Sequence, residues 1–104
     1  MVVAGGGGGG WDRAGGGGAG GFREVKSPVT PYTASPLDGH PSAPNRVTVT
    51  ATSFPITVGA GGAGAPSSTN PTNAGANSIF STITSAGGGG GGHYGGKVGK
   101  AEGS

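Results

Sequence analysis

The sequence predicts a mostly non-helical fold in which short β-strands pack beside a bundle of glycine rods, forming a glycine-rich sandwich with long irregular loops. Three observations support this prediction. Glycine makes up 28 of the 104 residues and is concentrated in three blocks. Segments with the two-residue alternation of β-strands lie between those blocks. No stretch shows the apolar period of 3.6 residues that marks a helix, so we expect almost no helix.

The composition limits how such a chain can be held together. Val, Ile, Leu and Phe together make up about one residue in seven, below the ~20% under which chains tend to lack a stable core. The net charge is only +2, so the high charge of most disordered chains is missing. If the chain folds, backbone hydrogen bonds must replace much of the usual side-chain burial.

The glycine blocks span residues 5–10, 15–21 and 87–92, and only Ala19 interrupts them. A glycine run can adopt the polyproline-II conformation, which has three residues per turn and no internal hydrogen bonds. Because glycine has no side chain, several such rods can pack together and bond laterally. Composition alone favours the alternative of a flexible linker. The purity of the blocks, and the β-type segments that run directly into them, favour ordered rods.

Two strand predictions flank a proline-rich segment. Residues 22–26 (FREVK) predict a short strand, and residues 46–52 (RVTVTAT) show the clearest alternation in the chain. The segment between them, residues 27–45, holds most of the prolines and predicts an irregular loop insertion.

Two further strands are predicted in the second half. Phe54, Ile56 and Val58 continue the alternation, although Pro55 lacks a backbone N–H and indicates an edge or a bulge. Residues 63–77 predict a polar loop, because Gly, Ser, Thr, Asn and Pro dominate them. Residues 78–84 (SIFSTIT) predict one strand, with Ile79 and Ile83 on the same face, that leads into the last glycine block. The whole chain, residues 1–104, is expected to form a single glycine-rich domain.

Four patterned segments occur in a fixed order: VVAGGGGGG at residues 2–10, GGFREV at 20–25, FPITVGAGGAG at 54–64 and NSIFSTITSAGGGGGG at 77–92. Together they resemble the glycine-rich domain of bacteriophage tail fibre and tail tip adhesin proteins. In that family an aromatic-Pro-Val-Thr-Val-Gly strand is followed later by a Ser-x-Phe-x-x-Ile-Thr strand that runs into glycine. The resemblance covers most of the chain outside residues 27–45, which are longer than the short turn expected there.

The resemblance implies a bundle of polyglycine-II rods beside short strands, located in the virion on a tail fibre or tail tip. It also implies loops that project from the bundle and contact a receptor on the bacterial surface, either a protein or a saccharide. Other fibre or tail subunits are the further expected partners. The chain is expected to be either a fragment of a longer fibre protein or a small gene product in its own right.

Two glycine-containing segments partly match the sequence motifs of nucleotide-binding sites. Residues 59–64 fit GxGxxG, but Ala65-Pro66 follows where a dinucleotide site needs a helix. Residues 91–97 approach a P-loop, but Val98 stands where Ser or Thr would hold Mg²⁺. We therefore expect no cofactor.

No other feature predicts catalysis, metal binding or nucleic-acid binding. His40 and His93 are the only histidines, and neither has a carboxylate at ligand spacing. No base stands near a Ser or Thr that could act as a nucleophile. The basic residues are scattered and form no stripe that could follow a phosphate backbone. No apolar run approaches the ~20 residues of a membrane span. We expect no enzyme, no metal and no membrane insertion.

Any specificity is expected in the two loops, because glycine has no side chain with which to recognise a ligand. The candidate receptor-contact residues are Tyr32, Asp38, His40 and Asn70. The residues expected to pack the rods and strands are Gly8, Gly17, Gly61, Gly89, Phe54, Ile56, Val58 and Phe80.

Three aromatic residues, Trp11, Phe22 and Tyr94, lie at the edges of glycine blocks. One interpretation, which we favour, is that they cap the rods and shield the rod ends from water. The other is that they stack on a ligand. The leading hypothesis is thus a non-enzymatic structural and adhesive module of a phage tail fibre or tail tip. The alternatives are a purely structural glycine-rich shaft, collar or cell-wall protein, and a disordered low-complexity segment.

Overall fold

A computed structural model describes residues 1–25, 47–67 and 72–92. These residues contain five short β-strands and no helix, which confirms the predicted non-helical fold. The strands are β1 (Val2–Val3), β2 (Phe22–Arg23), β3 (Ile56–Thr57), β4 (Ser78–Phe80) and β5 (Ile83–Ser85).

The strands form two small antiparallel sheets. β1 pairs with β2, and Val3 lies opposite Phe22. The second sheet has the order β3-β4-β5, and Phe80 of its central strand lies opposite both Ile56 and Ile83. The two sheets contact each other through β1 and β2 on one side and β4 and β5 on the other. Strands of two or three residues are too short to be stable alone, so they depend on the rest of the fold.

Five extended rods form the body of the molecule, and each begins or ends next to a strand. In chain order they are rod 1 (residues 4–10), rod 2 (14–21), rod 3 (59–65), rod 4 (72–77) and rod 5 (86–92). Rods 1, 3 and 5 follow β1, β3 and β5, whereas rods 2 and 4 lead into β2 and β4. All five described strands therefore lie at one end of the bundle, the strand end. The opposite end is the far end, where rod 1 connects to rod 2 and rod 3 connects to rod 4.

Backbone hydrogen bonds join neighbouring rods at every third residue. In rod 1, the amides of Ala4, Gly7 and Gly10 donate to carbonyl oxygens of rod 2 at N···O distances of 2.9, 2.8 and 3.0 Å. Gly5 and Gly8, each one residue further along, donate to rod 4 at 3.1 and 2.9 Å. A three-residue period is the repeat of the polyproline-II helix. Residues three apart therefore form a row along the rod, and each row faces a different direction. The predicted bundle of polyglycine-II rods is confirmed.

Rod 5 lies inside this bundle. The amides of Gly88 and Gly91 donate to rod 1 at 2.8 and 2.9 Å, and Gly88 also accepts a bond from Gly75 of rod 4 at 2.8 Å. Rod 2 donates to a different row of rod 5, at the carbonyl oxygens of Ala86, Gly89 and Gly92. Residues 87–91 are consequently buried, whereas residues 15–19 of rod 2 are exposed.

Side chains make only a small core. The buried apolar residues among those described are Ala4, Ala65 and Ile83, and the buried polar residues are Thr72, Ser78 and Ser85. The Phe54 and Phe80 rings stack at the strand end with centroids 5.7 Å apart. As the low apolar content predicted, the rods are held together mainly by hydrogen bonds between their backbones and only to a small extent by buried side chains.

Two buried serine hydroxyls join the strands to one another and to the rods. Ser85 Oγ donates to the carbonyl oxygen of Val2 at 2.7 Å, which links β5 to β1. Ser78 Oγ accepts from the amide of Gly59 at 2.9 Å, at the start of rod 3. Every buried side-chain N or O atom in the described residues has a hydrogen-bond partner, so the strand end is fully satisfied.

The prediction of a strand over residues 46–52 is wrong. Residues 47–52 lie in no strand, and Val49 is 75% exposed. The amide of Thr52 donates to the carbonyl oxygen of Thr50 at 2.8 Å, and the two threonine hydroxyls lie 3.1 Å apart. Such local bonds compete with sheet pairing. Alternation alone is not enough where no neighbouring strand is available.

The single strand predicted over residues 78–84 is instead the hairpin of β4 and β5. Its turn contains Ser81 with φ of 55°, a left-handed conformation. Phe80 lies opposite Ile83, and Ile79 lies opposite Thr84. Residues opposite each other share a face of the sheet, so Ile79 and Ile83 lie on opposite faces, contrary to the prediction.

Other predicted boundaries are also changed. The strand predicted over residues 22–26 is confirmed only as the two residues of β2, and Lys26 lies outside the described residues. The polar loop predicted over residues 63–77 is narrower, because its two ends belong to rods 3 and 4. Of the proline-rich loop, residues 27–45, no part lies within the described ranges.

Candidate binding surfaces at the two ends of the bundle

The far end carries a three-residue connection between rods 1 and 2, which we call the far-end turn (residues 11–13). The amide of Gly10 donates to the carbonyl oxygen of Gly15 at 3.0 Å and closes the turn at its base. Within it, the amide of Ala14 donates to the carbonyl oxygen of Asp12 at 2.9 Å. Asp12 has φ of 57°, which lies in the left-handed region that non-glycine residues seldom occupy. The turn is therefore fixed by one backbone bond at its base and by a second bond inside it.

The side chains of the far-end turn point outward. Trp11 is 47% exposed, and Asp12 and Arg13 are exposed. An aromatic ring, a carboxylate and a guanidinium thus stand together on a rigid support.

The second far-end connection, between rods 3 and 4, starts close to the first. The amide of Ala65 donates to the carbonyl oxygen of Gly9 at 3.0 Å. Thr72, where rod 4 begins, is buried, and a Cβ built on Gly90 would lie 2.5 Å from its Oγ1. Both connections between rods therefore open at the same end of the molecule.

The strand end carries an apolar groove between the two sheets, with a cavity volume of about 390 Å³. Several of its lining side chains are unusually exposed for apolar residues: Met1 at 83%, Ile56 at 68% and Val58 at 85%. Arg23 and Glu24 are the charged lining residues. The groove has the size of a ligand site or of part of a protein interface.

Tyr32, Asp38, His40 and Asn70, the predicted receptor contacts, lie outside the described residues. Their anchor points are described and lie at opposite ends. The segment with Tyr32, Asp38 and His40 leaves at Val25 and returns at Val47, both of which line the strand-end groove. The segment with Asn70 connects rods 3 and 4 at the far end. The two predicted display loops therefore start from different ends of the bundle.

The glycines predicted to pack the rods differ in their surroundings. A Cβ on Gly8 or Gly17 would overlap a backbone carbonyl oxygen of a neighbouring rod. Gly89 is buried and accepts a hydrogen bond from Gly18 at 2.7 Å. Gly61 is exposed, and a Cβ built there would find its nearest atom at 3.7 Å. That distance is an ordinary van der Waals contact, so the position of Gly61 has room for a methyl group and does not require glycine.

The apolar residues predicted to pack also divide into two groups. Phe54 and Phe80 stack on each other. Ile56 and Val58 are 68% and 85% exposed, so the prediction that they pack in the fold is wrong. β3 is an edge strand, so no strand of the described residues covers its outer side.

The aromatic residues at the rod ends do not form one kind of cap. Phe22 is half-buried within β2. Trp11 is exposed for about half of its surface, and the bond between Gly10 and Gly15 already closes the rod ends beneath it. Tyr94 lies outside the described residues.

No metal-binding cluster occurs in residues 1–25, 47–67 and 72–92. No group of three His, Asp or Glu residues in these ranges could hold a metal ion. The GxGxxG segment, residues 59–64, lies in rod 3, where the amide of Gly62 donates to Gly6 at 2.8 Å and faces no phosphate site. No helix in the described part of the chain has the length and hydropathy of a membrane span.

These features define a class of protein, a domain whose body consists of laterally bonded glycine rods with short strands at one end. The chain belongs to the glycine-rich domain family, whose sequence profile matches residues 1–104. Comparison with curated proteins gave no significant match, and comparison with solved structures gave none either.

Proposed function

We propose that the chain is a non-enzymatic structural and adhesive module of a phage tail fibre or tail tip in the virion, which recognises a receptor on the host surface. The observation that supports this proposal is the fixed order of the four segments that resemble tail fibre glycine-rich domains. Those segments coincide with the strands and with most of rods 1, 3 and 5. The resemblance leaves out residues 11–19, 26–53 and 65–76, which contain the far-end turn, residues 27–45 and the connection between rods 3 and 4, together with most of rods 2 and 4.

The physical design suits a display scaffold. The rods are joined through backbone groups, so the body depends little on side-chain identity outside its close contacts. Connections on a rigid support can then change sequence without loss of the fold, and binding residues are often found on such loops. Residues 27–45 and 66–71 are the loops proposed for this role, with the strand end and the far end as their respective supports.

The partners proposed at the strand end are other fibre or tail subunits. Met1, Ile56 and Val58 expose most of their apolar surface there. Burial of one such side chain contributes about 1.5–3 kcal/mol, so these residues would form the apolar centre of a larger subunit contact. We propose no role in nucleic-acid binding or membrane insertion.

The test is cell binding by a fluorescent fusion to the full chain. We expect the label to remain on cells of a host strain and to wash off unrelated bacteria and uncoated beads. Replacement of residues 27–45 by a short Gly-Ser linker, or of residues 66–71 by Gly-Ser, should reduce retention at least tenfold. Ala19→Ser, on the exposed side of rod 2, is the matched control and should bind like the wild type.

Equal retention on host cells and on unrelated surfaces would contradict adhesion. A second candidate function, a purely structural element of a shaft or collar, is favoured by the exposed apolar residues of the strand end. That function predicts binding to purified tail subunits, lost in Ile56→Ser, together with no binding to any cell.

A further inference from the structure

We propose that the far-end turn (residues 11–13) is a binding site for a saccharide of the cell surface. The proposal rests on the adhesive function above and names the site and the ligand class that would carry it. It adds Trp11, Asp12 and Arg13 to the recognition surface, beyond the loop residues that the sequence predicts.

The chemistry of the turn matches a sugar ring. A pyranose has an apolar C–H face and a rim of hydroxyl groups. The half-exposed indole of Trp11 provides an apolar aromatic face with a polar N–H at its edge. The carboxylate of Asp12 accepts hydrogen bonds from hydroxyl groups, and the guanidinium of Arg13 donates them. One ring can therefore stack on the indole while its hydroxyls reach the two charged groups.

The turn is held in place before any ligand arrives. Its base is closed by the bond from Gly10 to Gly15, and Gly15 is itself fixed to rod 5 by a 2.9 Å bond to Gly92. Asp12 has a left-handed φ of 57°, a conformation that persists where the surroundings fix it and that is common at binding sites. A pre-ordered loop loses less conformational freedom on binding than a flexible one.

Capping of the rod ends does not explain an exposed tryptophan. Trp is highly buried on average, and the amides of Gly10 and Gly15 already have backbone partners, so the rod ends need no aromatic cover. A structural turn of three residues could be built from Asn, Asp and Gly alone.

The small size of the turn favours a saccharide over a protein. A standard protein interface buries ~800 Å² on each partner and involves about 20–30 residues a side. A convex turn of three residues offers only a fraction of that area. One or two sugar rings need only an aromatic face and a few hydrogen bonds.

The sole tryptophan of the chain is Trp11, so intrinsic tryptophan fluorescence reports on this turn alone. The probe is lipid-free polysaccharide from the surface of cells that the fusion binds. We expect a saturable change in the emission of the wild-type chain. In a direct binding assay, Trp11→Ala should bind at least tenfold more weakly and Trp11→Phe should retain part of the affinity. Ala19→Ser should remain within about twofold of the wild type, and slow amide exchange at Gly88 would verify that each variant is folded.

Pretreatment of the cells separates this inference from the proposed function. Periodate oxidation of cell-surface sugars should abolish retention of the wild-type fusion, and protease treatment should leave it. If the wild type binds cells but folded Trp11→Ala binds equally well, the saccharide site is wrong and adhesion stands. The same holds if protease, rather than periodate, removes binding, which would indicate a protein receptor. If the wild type binds neither cells nor polysaccharide, the adhesive function itself is wrong.

Discussion

Rods 2 and 5 lie side by side and are both almost pure glycine, yet they need glycine to different degrees. Rod 5 has neighbours on several sides, and a Cβ on Gly88 or Gly91 would overlap a carbonyl oxygen of rod 2. In rod 2, a Cβ on Gly17 would overlap Gly7, whereas one on Gly16 meets nothing within 4 Å. Glycine is therefore required at the positions where a Cβ would overlap the backbone of another rod, and not by the rod conformation itself.

Three of the rod alanines occupy outward-facing rows, where a methyl group meets solvent. Ala19 follows Gly16 by three residues, one turn of the rod, and is exposed. Ala60 and Ala63 of rod 3 are also three residues apart and both exposed. Outward rows accept a methyl group, and the residues that face other rods are mostly glycine.

The largest expected effect comes from a bulky side chain in a closed row. Gly8→Val should destabilise the fold by at least about 3 kcal/mol, because the side chain must displace the backbone of rod 3. Thermal unfolding would show this as loss of the cooperative transition. Gly16→Val, in the open row, is the control and should keep a cooperative transition. An unchanged melting curve for Gly8→Val would contradict the packed bundle.

Amide hydrogen exchange measures the same difference without substitution. The amides of Gly88 and Gly91 donate to rod 1 from buried positions, and those of Gly16 and Gly61 lie in exposed residues. We expect the first pair to exchange at least about 100-fold more slowly than the second, because exchange of a buried bonded amide requires opening of the bundle. Equal, random-coil rates at all four would support a disordered segment instead.

Adjacent glycines in rod 2 provide a finer contrast. Gly17→Ala should destabilise the fold by about 1–3 kcal/mol through overpacking against Gly7. Gly16→Ala should stabilise it by about 0.4–1 kcal/mol, because alanine restricts the unfolded chain and fits the open row. Urea unfolding of the two variants would measure both changes. The same sign for both would mean that the rows do not differ as described.

A substitution at the strand end tests whether side chains contribute to stability where the strands meet the rods. Ser85→Ala removes the bond to the carbonyl oxygen of Val2 and should destabilise the fold by about 1–2 kcal/mol, because the buried oxygen loses its partner. Ser53→Ala, at an exposed residue, should change stability by less than about 0.5 kcal/mol. Urea unfolding would measure both, and a neutral Ser85→Ala would show that the backbone holds the strand end unaided.

The sequence predicted the features that follow from composition and period, namely the absence of helix and the lateral bonding of glycine rods. It failed where the outcome depends on distant partners. The alternation of residues 46–52 resembled a strand but found no neighbour. The turn at Ser81 carries none of the Asn-Gly or Gly residues that normally mark a hairpin, so the hairpin was not predicted.

The candidate site was predicted only in part. Specificity was expected in the loops, but the far-end turn was interpreted mainly as a cap. The sequence does contain a feature that points to this turn, because three consecutive aromatic or charged residues, 11–13, lie between the first two glycine blocks. What the sequence lacked was the topology that places this turn at the same end as the connection between rods 3 and 4.

The three-residue bond period has a consequence for how the tracts can change in length. A uniform glycine rod has no internal mark of register, because each residue of a helix with three residues per turn takes the place of the next after a rotation of about 120°. Insertion of three residues restores the direction in which the chain leaves the rod, whereas insertion of one or two does not. Register must therefore be set outside the tracts, by contacts such as that of Ser85 with Val2 and the bond from Gly87 to the Asn77 side chain. We expect surviving tract lengths in related chains to differ by multiples of three residues, with the strand end unchanged and the far-end turn carried outward or inward by one turn of the rod.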